Sequence, residues 1–470
     1  MGKYKESLKY FVEESKKDFS FAEKNFEQII KEIRETQKNG LNYIETFDED
    51  YARAQFWELK NKKQGRLFGV PITIKDTACV KGLESKSGSK ILSGYKPLFD
   101  ATAVAKAREE GAIIIAKTTQ DEFGFGTFAT NTEKIPKNPF DNERSCGGSS
   151  GGSAGFTAFT KTYHASIGES TGGSIACPSS FCGVTSLTPT YGLVSRLGLI
   201  DYANSLDKFG PLARNIDDAS LLLSIISGED KNDSTNLGKE YVEEEVPIKK
   251  IGIAKDFLEK CDDNVKKVFL EKMDSLKQFF KIEEISLPLN VEYALPAYYI
   301  IATSEASTNL AKLSGLRYGA QGEPTGKHFD EYFSEIRSKN FTEEAKRRII
   351  LGTFARMSGY RDAYYLKALK VRTKLINEFK EAFKKVDLLV NPTMPVIAPR
   401  FDEISRLTPL QNYAMDLCTV PANLAGLPHL SSSIGFSSGM PIGLMAIAPH
   451  LQEKRLYSFG KVIENEWDNL

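Results

Sequence analysis

Residues 67–80 read LFGVPITIKDTACV and residues 111–119 read GAIIIAKTT. Short β-branched apolar runs of this kind suit buried strands. Between them, DATAVAKAREEGA (100–112) spells a helix that ends at Gly111. Strand, helix, strand in that order predicts an α/β fold: a mostly parallel sheet with helices on both faces. Further along, KKIGIAKDF (249–257), VDLLVNPTMPVI (386–397) and LSSSIGFSSGMPIGLMAIAP (430–449) carry the same strand texture. Residues 1–62, rich in Lys, Glu and helically spaced apolar residues, read as an N-terminal helical layer. Residues 63–470 read as the main domain, with a helical insertion at about 258–385. No repeat of fixed period is present.

The chain has 470 residues, 41% hydrophobic and 26% charged, with 62 basic against 62 acidic side chains. A net charge of zero argues against broad electrostatic adhesion to nucleic acid or anionic membrane. No apolar run approaches the ~18 residues that span a bilayer. The first residues, MGKYKESLKYFVEESKKDF, lack the apolar core of a secretory leader. A cytoplasmic or organelle-matrix protein is expected. Six scattered cysteines without a CxxC pair suit a reducing compartment and give no zinc or other metal spacing.

Two glycine–serine runs, SCGGSSGGSAG (145–155) and TGGSIACPSS (171–180), sit inside the most ordered apolar region. GGSSG also matches G-x-S-x-G around Ser149, the nucleophile turn of α/β-hydrolases. That chemistry needs a histidine base, and the chain has only His164, His328, His429 and His450. The apolar settings of His164, His429 and His450 favour satisfied structural histidines. GFGTFA (124–129) matches a dinucleotide fingerprint, but seven residues separate it from the preceding strand and two prolines interrupt the stretch after it. Lys75 is the other unusual residue. Strand alternation puts Ile72 and Ile74 on one face and Thr73 and Lys75 on the other, with Asp76 pointing away. A lysine at a strand end commonly snorkels to solvent; buried, it becomes a candidate base. The glycines of TGGS let the N–H groups of Thr171, Gly172, Gly173 and Ser174 converge on an oxyanion formed at Ser174.

GVPITIKD (69–76), GGSSGGSAG (147–155) and STGGSIACPSSFCGVTSLTPTYGLVS (170–195) together resemble the amidase signature family. The resemblance implies that family's large mixed, mostly parallel sheet covered by helices, and a Ser-cisSer-Lys triad. Carried over by motif, Ser174 is the nucleophile, Lys75 the general base and Ser149 the bridging serine held by a cis peptide. Residues 297–319, 343–373, 388–399 and 413–449 are similar to one branch, the A subunits of glutamyl-tRNA(Gln)/aspartyl-tRNA(Asn) amidotransferases. The similarity runs from about 40 to 465. It implies a glutaminase that feeds ammonia to a partner making Gln-tRNA(Gln). A free glutamine carries a carboxylate and an ammonium. By motif position Arg348 would hold the first, Asp416 the second, and Tyr298 would add a hydrogen bond.

The branch further implies a heterotrimer with the B and C subunits of the amidotransferase. ATP, magnesium and most tRNA contact belong to the partner, and this chain needs no cofactor of its own. Three departures surround the nucleophile. Ala176 stands where the family commonly has arginine, Glu169-Ser170 replaces the usual Ser-Asp, and one extra residue separates the two glycine–serine runs. A stand-alone amidase acting on another small amide, and a non-catalytic scaffold, are the alternative functions.

Overall fold

Eleven strands hydrogen-bond into one sheet in the computed structural model, which describes residues 7–61 and 64–467. In chain order they are β1 (Ile44–Thr46), β2 (Pro71–Lys75), β3 (Ile113–Thr118), β4 (Ala165–Ser170), β5 (Thr185–Thr188), β6 (Lys208–Ala213), β7 (Lys250–Ala254), β8 (Lys281–Ile285), β9 (Leu388–Pro392), β10 (His429–Ser437) and β11 (Met440–Ile447). Their spatial order is β1-β3-β2-β4-β6-β5-β10-β11-β9-β7-β8. The helix between β2 and β3 runs over Thr102–Glu109 and gives way to Gly111 at φ +90°.

The expectation of a mostly parallel sheet needs correction. Parallel pairing is confined to two blocks, β3-β2-β4 and β9-β7-β8. The β4–β6, β6–β5, β5–β10, β10–β11, β11–β9 and β1–β3 pairs are antiparallel. The reason is local in one case. Ser438 and Gly439 both have left-handed φ, 51° and 76°, as a tight hairpin turn requires, and so join β10 to β11.

The N-terminal segment contributes helices Leu8–Lys17, Phe19–Lys38 and Glu49–Glu58 together with the edge strand β1. Residues 1–6 and 62 of that segment lie outside the described residues. Its Phe11, Phe26, Ile29 and Phe56 are fully buried in the same apolar cluster as Ile72 and Ile74 of β2. The stretch 258–385 is mainly helical, through Asp263–Leu276, Pro288–Asn309, Phe329–Asn340, Glu343–Arg356 and Lys367–Phe383, but it also supplies β8 to the sheet. A second apolar cluster gathers residues of these helices, such as Tyr298 and Ile301, with Phe125, Tyr202 and Val420. Among the described residues no helix is long and apolar enough to cross a membrane.

Candidate active site

All five residues of β2 are buried, and Lys75 stands at its C-terminal end with a fully buried side chain. Alternation works as the sequence implies. Ile72 and Ile74 enter the main apolar cluster, while Thr73 Oγ1 on the other face meets His164 and Ser166. Asp76 turns away and pairs with Lys117 at 3.4 Å. The carboxyl ends of parallel β2 and β4 lie side by side, and such an edge is where α/β sheets gather functional groups.

At that edge Lys75 Nζ reaches Ser149 Oγ at 2.6 Å, the carbonyl of Glu169 at 2.9 Å and Glu169 Oε2 at 2.8 Å. The Gly148–Ser149 peptide is cis. Asp121 braces this turn. Its amide donates to the Ser149 carbonyl at 3.3 Å, and its carboxylate accepts from the amides of Ala129 and Asn131. A Cβ at Gly148 would lie 2.3 Å from Asp121 Oδ2, so only glycine fits there. Burial pushes the Asp121 carboxyl up to about 6.

Helix Gly151–Phe159 starts directly after the first glycine–serine run, and the second run joins β4 to helix Ala176–Cys182. The two runs are tied where the Ser150 amide donates to the Ser174 carbonyl at 3.2 Å. Ser174 itself is 6% exposed. Among the described residues Ser174 Oγ has no hydrogen-bond partner, and the amides of Gly172, Gly173 and Ser174 donate to no protein acceptor. At Gly173 a Cβ would meet Thr419 Oγ1 at 2.3 Å, which explains the missing side chain.

Arg348 is 3% exposed and lies within an aromatic box. Its guanidinium stands 5.0 Å from the ring centroid of Phe125, 5.7 Å from Tyr202, 5.5 Å from Tyr299 and 5.3 Å from Tyr413. Nε donates to Glu344 at 2.8 Å and Nη1 to the Tyr202 hydroxyl at 2.6 Å. The Asp416 carboxylate accepts from the Tyr299 hydroxyl at 2.6 Å, and burial pushes its carboxyl up. Tyr298 faces the TGGS turn, its hydroxyl 2.8 Å from where a Cβ at Gly172 would be. Gly126, Thr127, Arg348 and Tyr413 line a cavity of about 370 Å³. A buried cation and a half-buried anion joined by Tyr299 can receive a small molecule carrying both charges.

The histidines are spoken for elsewhere. Burial pulls His164 down to about 3 and also lowers His429 and His450; His164 bonds Thr73, His429 the Leu427 carbonyl and His450 the Ala425 carbonyl, and none of the three bonds Ser149 or Ser174. His328 caps helix Phe329–Asn340. GFGTFA follows a single 3-10 turn at Glu122–Gly124 and opens no helix. Among the described residues no group of three or more His, Cys, Asp or Glu is arranged to hold a metal. Sequence reasoning missed Asp121, Tyr202, Tyr299 and Glu344. It noticed Glu169, three residues before the Gly-Gly-Ser turn, only as a departure.

The family model for amidases matches residues 25–457. The A subunit of a glutamyl-tRNA(Gln) amidotransferase from Archaeoglobus fulgidus is 44% identical over 440 residues, covering 93% of this chain and 94% of that protein. The same-named protein of Halothermothrix orenii is 42% identical over 454 residues, 94% of this chain and 93% of its own. Among solved structures, the A subunit of a glutamyl-tRNA(Gln) amidotransferase from Thermotoga maritima is 34% identical with a TM-score of 0.72. The likeness covers 87% of this chain and 90% of that one. A bacterial aryl acylamidase is only 20% identical yet has a TM-score of 0.83 over 98% of this chain and 96% of its own, a likeness of fold alone.

Proposed function

The chain belongs to the amidase family, and from that premise we propose that it is the glutamine-hydrolysing A subunit of a tRNA-dependent amidotransferase. The observation that carries this reading is the pairing of buried Arg348 with half-buried Asp416 around Tyr299, beside the TGGS turn. Arg348 takes the α-carboxylate of glutamine, Asp416 takes its ammonium, and Tyr298 adds a hydrogen bond near Gly172. An amide without those charges would leave Arg348 with only Glu344 and Tyr202, and Asp416 with only Tyr299, giving up both charged contacts to the substrate.

With the side-chain amide at the turn, Ser174 Oγ attacks its carbonyl carbon. The hydroxyl proton passes to Ser149, whose own proton passes to the Lys75 amine. The amides of residues 171–174 stabilise the oxyanion. As the carbon–nitrogen bond breaks, the proton returns along the same path to the leaving nitrogen, and ammonia departs. A γ-glutamyl ester remains on Ser174. Water then attacks that ester, giving its proton to the relay, and glutamate leaves as Ser174 recovers its hydrogen.

Ammonia is useful to an amidotransferase only if a second protein consumes it. The relatives are named as A subunits, which fits a complex of three chains. In that complex a B-type partner activates Glu-tRNA(Gln) with ATP and magnesium, and a C-type partner clasps the pair. The test is co-purification from the native cell, then ammonia release from glutamine with and without Glu-tRNA(Gln). Recovery of a tRNA-binding partner and stimulation by the charged tRNA support the reading. Recovery of the chain alone, with hydrolysis indifferent to tRNA, turns it into a stand-alone amidase.

A further inference from the structure

Glu169 is buried near the end of β4, its side chain 3% exposed, and its carbonyl and one carboxylate oxygen point at one amine. Its carbonyl and its Oε2 take bonds from Lys75 Nζ at 2.9 and 2.8 Å, and the remaining direction of that nitrogen meets Ser149 Oγ at 2.6 Å. Glu169 Oε1 accepts from Thr171 Oγ1 at 2.9 Å, and the same hydroxyl lies 2.8 Å from Asp207 Oδ1. One hydroxyl holds one proton, so Thr171 donates to one of the two carboxyl groups at a time. Asp207 is fully buried and accepts from the amides of Tyr202 and Ala203, and its carboxyl is pushed well up by burial and then by the charge of Glu169.

We propose that Glu169 is a positioning residue for Lys75, its carbonyl and carboxylate fixing the amine on Ser149 and its charge answering that of the amine. The inference rests on the amidase reading of Lys75, Ser149 and Ser174. Lys75 with Glu169 is the buried charge pair at the turn, and among the described residues the neighbouring Ser170 Oγ is buried without a partner. The other charged and titratable groups facing the cluster are Asp121 from the segment after β3, Asp207 and Tyr202 from the turn before β6, and Arg348 behind Tyr202.

A carboxylate beside an amine favours the charged form of the amine. Removing the charge moves the acid limb of activity toward lower pH. The experiment compares wild type with Glu169→Gln and Glu169→Ser, recording the rate of Ser174 labelling by a fluorophosphonate probe across pH, with glutamine hydrolysis measured in parallel. Labelling needs the activated serine and no particular substrate, so it remains informative if glutamine proves to be the wrong amide. The expected result is an acid limb displaced downward by roughly one pH unit in both variants. Glu169→Asp keeps the charge, so it holds the limb in place and only slows the reaction. An unmoved limb in the Gln or Ser variant, whether the rate falls or not, overturns the proposal. Wild-type labelling that does not depend on Ser174 would instead overturn the amidase reading beneath it.

Discussion

Lys75 Nζ stands 2.6 Å from Ser149 Oγ inside a fully buried pocket whose charge is balanced by Glu169. A buried charge deprived of its partner costs about 3–5 kcal/mol. Lys75→Met therefore abolishes glutamine hydrolysis and also lowers stability by roughly that amount, read from urea unfolding. The double variant Lys75→Met with Glu169→Gln recovers most of the stability and none of the activity. Equal instability in the single and double variants would show that the pair is not coupled.

Gly173→Ala places a methyl group against Thr419 and tilts the amides that face the nucleophile. Loss of an oxyanion donor lowers kcat by roughly 10²–10³. Steady-state ammonia release should show that loss, with KM for glutamine changing far less.

Arg348→Lys keeps the charge but gives up the planar fork and its stacking among Phe125, Tyr202, Tyr299 and Tyr413. The expected result is a KM for glutamine raised by about tenfold or more, and a smaller effect on kcat. Unchanged KM would remove Arg348 from the substrate's carboxylate.

Lys208 offers a test of stability against pH away from the reaction. Its amine is buried, donates to the Leu427 carbonyl at 3.0 Å, and is pulled by burial from 10.5 down to about 7. The unfolded chain then binds one more proton than the folded one between about 7 and 10.5. Stability accordingly rises with pH across that window, and the penalty is full below about 7. Lys208→Met should raise the urea midpoint at pH values near neutrality and flatten the rise toward alkaline pH. A variant with the wild-type slope would mean that Lys208 is not its source.

Much of this site was legible in the chain because it obeys short-range rules. The period of two along PITIKD separates Ile72 and Ile74 from Thr73 and Lys75, and close glycines mark where backbone must approach backbone. What could not be read depends on pairings between distant segments. Thr171 lies between Glu169 and Asp207 because antiparallel β4 and β6 bring residues 168–171 against the start of β6. Nothing in either segment announces that direction, and the expectation of a mostly parallel sheet concealed it. In the Tyr298–Tyr299 pair, neighbours on a helix point about 100° apart, and only the packed structure decides that Tyr299 is the one on Asp416.

The central claim is that Ser174 carries the acyl group, and the most direct measurement is to catch it there. Wild-type protein mixed with glutamine, quenched in acid within its first turnovers and digested for peptide mass spectrometry, should show a γ-glutamyl ester on Ser174. Ser174→Ala should show neither ester nor ammonia. An ester on another residue, or undiminished ammonia release by Ser174→Ala, would contradict the account.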